Sequence, residues 1–332
     1  SFSCWMLYCS SPTRQGYKFT GWKVEGLDGT TTINSGESFT MPNGNVTLTA
    51  NWEKKDINDY VTLTTKDVEE KYNGQSHAAG EATAVAKAGK ENEIGKLTVE
   101  YQKADGKWTT NREEITAKDV SDSKTVNVRV SSDDCLEYVT GTEKITINPA
   151  TLTVKTEGAK RAYNGKPLTA EGTITGFVNG ETAKFTVTGS QTTVGQSENT
   201  YNIDWKAKDT TAKKGNYTIS EDLGDLVVTQ FAEKITVTTT GGKFTYDGNA
   251  HGATVAVTGL PAGYTVETAT SDATATDVTE KAVKAGCDHL VIKDDQGKDV
   301  TSELNVDYKA GTIQINPATL TVKTEGAKRA YN

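Results

Sequence analysis

Ile147 to Asn164 reads INPATLTVKTEGAKRAYN, and Ile315 to Asn332 reads the same eighteen residues without a change. Identity over that length at an offset of 168 residues makes the chain a tandem array, so its organisation is read from repeats before anything else. A finer mark halves the offset. Tyr followed by Asn or Asp and then Gly stands at Tyr72-Asn73-Gly74, Tyr163-Asn164-Gly165 and Tyr246-Asp247-Gly248, and Tyr331-Asn332 begins another. Spacings of 91, 83 and 85 residues set the unit at about 85. The chain stops inside its next copy, which reads as a cut across an array.

Within each unit the pattern is extended. Apolar residues alternate at Val126/Val128/Val130, Tyr201/Ile203/Trp205, Leu304/Val306/Tyr308, Ile313/Ile315 and Leu320/Val322, with Gly, Asn or Asp between runs. Period-two alternation buries one face of a strand. The 54 Thr residues suit the other face, because a β-branched polar side chain fits a pleated, half-exposed surface. Asn-Gly and Asp-Gly after the motif tyrosines predict type I′ turns, in which both central residues take positive φ. Asn111–Val120 and Thr276–Gly286 are the two stretches that read as short helices. Fold class is therefore mainly all-β: tandem small β-sandwich, Ig-like or β-grasp-like modules in an elongated array.

Composition agrees with small modules. Ile, Leu, Val and Phe number 61 of 332 residues, a fraction that suggests disorder when joined to high net charge. The net charge here is only −8, and 13 Tyr with 5 Trp supply bulky apolar surface. A chain this long divides into two or more domains, each with a small core. No apolar run approaches a spanning helix, no basic, apolar leader precedes Ser11, and the acidic balance disfavours nucleic acid.

The joints read as stiff. Asn148-Pro149-Ala150 and Asn316-Pro317-Ala318 separate the last strand of one unit from the first strand of the next without a Ser/Gly linker. Proline fixes its own φ and holds the preceding residue extended. The expected domains are a partial β-grasp module at 1–53, a linker at 54–58, repeats at 59–149, 150–231 and 232–317, and the start of a fourth at 318–332.

Pro12-Thr13-Arg14-Gln15-Gly16-Tyr17-Lys18-Phe19-Thr20-Gly21-Trp22, then Met41-Pro42 and Val46-Thr47-Leu48-Thr49-Ala50-Asn51-Trp52, resembles the Listeria-Bacteroides repeat, also called the internalin B-repeat. The resemblance covers about 40 residues and implies a small β-grasp module found in tandem on bacterial surface proteins. It departs from the family over residues 1–11, SFSCWMLYCSS, where the family has its first strand. From Asp59 onward the chain resembles Ig-like or mostly-β glycine-rich repeats of bacterial cell-surface proteins. The residues that carry this are the Tyr-Asn/Asp-Gly turn, a mid-unit turn at Val194 and Val278, and closing strands at Gly224–Gln230 and Gly311–Pro317. Such repeats serve as stalks or as adhesive surface.

No catalytic, cofactor or metal residue is nominated. His77 and His251 each lie five residues after a motif Tyr, but Leu168 holds that place in the 150–231 unit, so the position reads as packing. Cys287-Asp288-His289 joins nucleophile, carboxylate and base types, yet neighbours on a strand point to opposite faces. Cys4, Cys9, Cys135 and Cys287 form no repeated pattern, leaving Cys4–Cys9 as a local clip only. Asp133-Asp134, Glu221-Asp222 and Asp294-Asp295-Gln296-Gly297 raise calcium without matching its loop pattern, and read first as solvated turns. Trp108, after Asp105-Gly106-Lys107, reads as strand packing, with sugar stacking as the alternative. The motif tyrosines are expected to pack against their own cores. A Lys-Asn or Lys-Asp isopeptide bond is compatible with the composition, but no pair is assigned.

The leading expectation is a non-enzymatic stalk of a bacterial extracellular surface or cell-wall protein, a monomeric rod that lengthens with copy number. The alternatives are an adhesin module that binds a host or cell-wall glycan or protein, and an accessory region of a large secreted enzyme. Neither nucleic acid nor membrane insertion is expected of this fragment.

Overall fold

The computed structural model describes residues 6–8 and 11–331, so Cys4 and Cys9 lie outside the described residues. The chain forms two compact units, Ser1–Leu152 with Thr175–Lys184 and Trp205–Ser220, and Thr153–Ile174 with Phe185–Asp204 and Glu221–Asn332. The architecture is all-β, and helical structure among the described residues is confined to three-residue 3₁₀ turns.

In the first unit, strand Tyr17–Glu25 pairs antiparallel with Thr47–Lys54 and with Thr32–Ile33. Its ladder breaks between Phe19 and Gly21, where Gly21 takes φ +132°. The Phe19 ring meets Trp22 and Trp52 edge-on at 5.2 and 5.6 Å, which gives this small module its aromatic centre. Met6–Tyr8 pairs with Ser38–Thr40, so a first strand exists despite the divergent residues 1–11.

The 59–149 repeat follows with a five-stranded sheet in the order Trp108–Thr109, Leu97–Gln102, Lys124–Ser132, Val139–Asn148, Val68–Lys71. A second ladder joins Val61–Thr64 to Thr83–Ala86. Alternation decides what lies between them: Val130 and Val139 from the large sheet meet Val61, with Leu63, Ala84 and Ala86 packed against the same cluster. This is a sandwich with one apolar layer. Ile57, within the expected linker 54–58, takes part in it, fully buried in that cluster.

In the second unit, Asp225–Thr229 lies between Ala159–Ala162 and Gly195–Glu198. Beyond Phe231, strand Lys234–Thr240 lies between Thr254–Thr258 and Asn305–Lys309, and Gly311–Asn316 between Gly242–Thr245 and Val283–Ala285.

One pairing recurs in every repeat. An early strand runs parallel to the closing strand: Val68–Lys71 with Ile145–Asn148, Ala159–Ala162 with Leu226–Thr229, and Gly242–Thr245 with Ile313–Asn316. Each motif tyrosine extends this ladder by one bond. The N–H groups of Tyr72, Tyr163 and Tyr246 donate to Asn148 O, Thr229 O and Asn316 O at 2.7, 2.8 and 2.8 Å. The motif thus sits at the end of the pair that closes its repeat.

Three sequence expectations are corrected. The motif turns are not type I′. Gly74, Gly165 and Gly248 have φ of 77°, 74° and 77°, but the only non-glycine at positive φ is Asn179 among the described residues. Asn73, Asn164 and Asp247 act instead as Asx turns, their Oδ1 atoms accepting from the N–H two residues on, Gln75, Lys166 and Asn249. The two expected helices are also absent. Residues 111–120 hold the 3₁₀ turn Arg112–Glu114, capped by Asn111, and strand Thr116–Ala117, while 276–286 contains strand Val283–Ala285. β-branched Ile115, Thr116, Val278 and Val283 favour extended backbone there. Last, Leu320 and Val322 form no strand: residues 317–331 are exposed and unpaired, although the identical Leu152 and Val154 are fully buried. Strand Ala159–Ala162 finds Leu226–Thr229 as its parallel partner, and 327–330 find none among the described residues.

Candidate functional site

The turns that end and begin repeats build the most elaborate side-chain geometry in the chain. In the first unit, Tyr72 lies at the end of the parallel ladder of the 59–149 repeat with its ring almost fully buried, at 3% exposure. What buries it comes from the 150–231 repeat. The Tyr217 ring meets it edge-on at 5.6 Å, and Phe177 and Trp205 pack on Tyr217 in turn. Glu181 bridges both hydroxyls: Tyr72 Oη donates to Oε1 at 2.5 Å and Tyr217 Oη to Oε2 at 2.7 Å. Burial first, and the Glu181 carboxylate second, hold the Tyr72 hydroxyl up at about 12, and Tyr217 is raised for the same reasons.

A polar strand of contacts runs beside the rings. Val120 N–H donates to Asn216 Oδ1 at 2.9 Å, Asn216 Nδ2 donates to Asp119 Oδ1 at 2.8 Å, and Lys213 pairs with Asp119 Oδ2. The Lys213 ammonium, ahead of the Asn216 amide, holds the Asp119 carboxyl below its ordinary value. Gly74 closes the contact from the motif side, since a Cβ there would stand 2.7 Å from Asn179 Cβ.

The second unit repeats the plan with different residues. Tyr163, also 3% exposed, lies in one apolar cluster with Leu168, Leu226 and Val228 from its own repeat and Ile235, Ile292, Val300 and Leu304 from the next. Tyr264 packs against the same cluster, and Val194 N–H donates to Glu303 Oε2. The correspondence is positional. Glu181 and Tyr264 each close a turn, bonding Val178 O and Pro261 O, and Asn216-Tyr217 and Glu303-Leu304 each end a 3₁₀ turn before the same strand. A looser version joins the N-terminal module to the 59–149 repeat. Leu136, at the place of Tyr217 and Leu304, lies against Gly16, where a Cβ would come within 2.4 Å of its Cγ. Gln15 Nε2 donates to Asp133 O at 2.9 Å, and Lys54 pairs with Glu137.

The residues singled out from sequence fall elsewhere. His77 and His251 brace the Asx turns, their Nε2 atoms lying 3.1 and 3.0 Å from Asn73 Oδ1 and Asp247 Oδ1. Leu168 enters the apolar cluster of the second unit at the corresponding place. Cys287 Sγ donates to the backbone O of His289, whose ring turns to Asp272 Oδ2 at 2.9 Å. Burial raises the Cys287 thiol, the wrong direction for a nucleophile. Asp294 Oδ1 is occupied by the N–H groups of Gln296 and Lys298, a braced turn. No group of three His, Cys, Asp or Glu suited to a metal gathers among the described residues. The buried Glu143 accepts from Lys66 N–H at 3.5 Å through Oε2, its Oε1 has no partner among the described residues, and burial raises its carboxyl. Of the motif tyrosines, expected to pack against their own cores, Tyr163 does so and also meets residues of the next repeat, Tyr72 is covered by Tyr217, and Tyr246 is exposed.

Trp108 is half-buried on the outer face of the large sheet, not packed within it. Register places Trp108, Gln102, Asn127 and Thr142 in one cross-strand row and Glu100, Arg129 and Thr140 in the next. The Arg129 guanidinium lies 4.2 Å from the Trp108 ring centre and 4.3 Å from that of Tyr138, and its Nε donates to Glu100 at 2.8 Å. A shallow depression of about 450 Å³ borders Trp108, Asn127, Thr140 and Thr142.

Residues 9–56 match the family model of the divergent InlB B-repeat domain. No curated protein matches the sequence. Among solved structures, the I9–I11 tandem of titin is similar at 10% identity, covering 78% of this chain and 100% of that one with a TM-score of 0.25. Extracellular domains 3–5 of Drosophila OTK match at 12% identity over 79% and 98%, with a TM-score of 0.20. A Bacteroides ovatus mixed-linkage glucan utilization locus protein, SGBP-B, in complex with a mixed-linkage heptasaccharide, matches at 11% identity over 77% and 66%, with a TM-score of 0.16. Likeness at this level carries no inference for this chain. No helix among the described residues is long and apolar enough to cross a membrane.

Proposed function

We propose that the chain is a non-catalytic spacer of an extracellular, bacterial surface protein, in which each repeat is fixed to the one before it. The observation that carries this reading is the recurrence, in both units, of a buried motif tyrosine covered by the following repeat together with a mid-repeat valine N–H bonded to that repeat's Asn216 or Glu303. A joint buried and hydrogen-bonded in this way restricts the angle between repeats, which a free linker does not. The B-repeat match supports the surface setting. Spin labels at exposed Lys144 and Lys208, in a chain freed of its cysteines, test it. A narrow distance distribution that widens with Tyr217→Ala is expected, and a broad one in the unmutated chain overturns it.

A second reading is favoured by the Trp108–Arg129–Tyr138 face. Its charges are internally neutralised by Glu100, and its rim carries amides and hydroxyls, chemistry suited to an uncharged glycan. A glycan array probed with the full chain should lose its signals on Trp108→Ala. Signals that persist in that variant, or an array with none, dismiss this reading.

A further inference from the structure

Tyr246 stands apart from the other motif tyrosines. It makes the same ladder bond, Tyr246 N–H to Asn316 O, and its Asp247 makes the same Asx turn, yet its side chain is 43% exposed where Tyr72 and Tyr163 are 3%. The mid-repeat valine shows the same difference. Val120 and Val194 donate their N–H groups to Asn216 and Glu303 of the next repeat, while the Val278 N–H has no such acceptor among the described residues. Both vacancies lie on one repeat, and both are the parts that a following repeat covers elsewhere.

We infer that Tyr246 and Val278 form a docking surface whose occupant is a further repeat of the 150–231 kind. That repeat would offer a turn residue in the place of Glu181 to the Tyr246 hydroxyl. It would lay a residue in the place of Tyr217 on the ring, and bring a side-chain acceptor in the place of Asn216 to the Val278 N–H. The inference rests on the joint geometry behind the spacer reading and adds to it the identity of the partner.

The exact copy at 315–332 makes the experiment direct. Adding the sequence of residues 165–231 after Asn332 regenerates 147–231 residue for residue. Tyrosine nitration, read for each residue by mass spectrometry, reports the socket, and hydrogen exchange over 318–332 reports folding of the added repeat. In the 332-residue chain Tyr246 should react and Tyr72 and Tyr163 should not. In the extended chain Tyr246 reactivity should fall about ten-fold, following the ratio of 43% to 3% exposure, while 318–332 gains protection. Changing the added copy of Tyr217 to Ala should restore reactivity at Tyr246. Unchanged nitration of Tyr246 overturns the inference, whether the added repeat folds or not. The spacer reading falls separately, if the spin-label distances within the first unit are broad in the unmutated chain.

Discussion

Removing the Tyr217 ring is the sharpest test of the first-unit joint. Tyr217 is buried, its ring touches Tyr72, Phe177 and Trp205, its hydroxyl donates to Glu181 and accepts from Val178 N–H at 3.2 Å. Tyr217→Phe keeps the packing and strands those two polar partners, a loss of about 1–3 kcal/mol. Tyr217→Ala deletes the ring as well, and truncating a buried aromatic costs about 3–5 kcal/mol. Urea unfolding followed by tryptophan fluorescence, with Trp205 beside the change, measures both. The Ala variant should unfold at clearly lower urea than the Phe variant, and both below the parent. The Tyr72 hydroxyl offers a readout that general destabilisation does not move: in the folded Ala variant it should titrate below its present value of about 12, because its cover is gone. Equal costs for the two variants, or an unmoved Tyr72 titration, would refute the joint.

Other outcomes follow from the same contacts. Tyr72 and Tyr163 have hydroxyls raised from 10.0 to about 12, so their contribution is fully present below pH 10 and is lost as pH rises through about 12, which an alkaline unfolding titration should show. Asp247 is lowered by the Asn249 N–H and then by His251, so its contribution is present above pH 3.8 and disappears on further acidification. Since Asn73 does the same work in the first repeat, Asp247→Asn should melt close to the parent, and Asp247→Ala below both, by calorimetry. Gly74→Ala and Gly165→Ala both meet the left-handed φ penalty of about 1–2 kcal/mol. Only Gly74→Ala also drives a methyl into Asn179, so it should be the more damaging by calorimetry.

Much of this was legible in the sequence, and the parts that were not share a cause. Periodicity located Val126, Val128 and Val130, all buried, and Ile313 and Ile315, because a one-sided strand writes its burial as alternation. The Tyr-Asn/Asp-Gly motif gave the turn positions but not their type, since Asx bonding and type I′ geometry draw on the same residues. Parallel pairing of Val68 with Ile145 left no local mark, as both partners are merely apolar and far apart in sequence. The role of Tyr72 could not be read from its own repeat because its neighbours, Glu181 and Tyr217, are residues of the next. One signal was available: Tyr217 and Leu304 each end a 3₁₀ turn and stand at the same distance before Leu226 and Ile313 of the closing strands. Leu320 and Val322 show the converse, a correct alternation that stays unpaired where partner strands are lacking.

The parallel closure of each repeat also orders events in time. Val68–Lys71 waits for Ile145–Asn148, so most of a repeat must be synthesised before its early strand finds its place, and such distant pairing is slow. Tyr72 is set in position by that same ladder, since its N–H makes the next bond along. A ribosome releasing this chain would therefore complete one repeat, and with it the seat for the next, before the residues that fill the seat have emerged. Assembly then proceeds from the N-terminus, with each finished repeat acting as a template for its successor and little chance for repeats to dock out of turn.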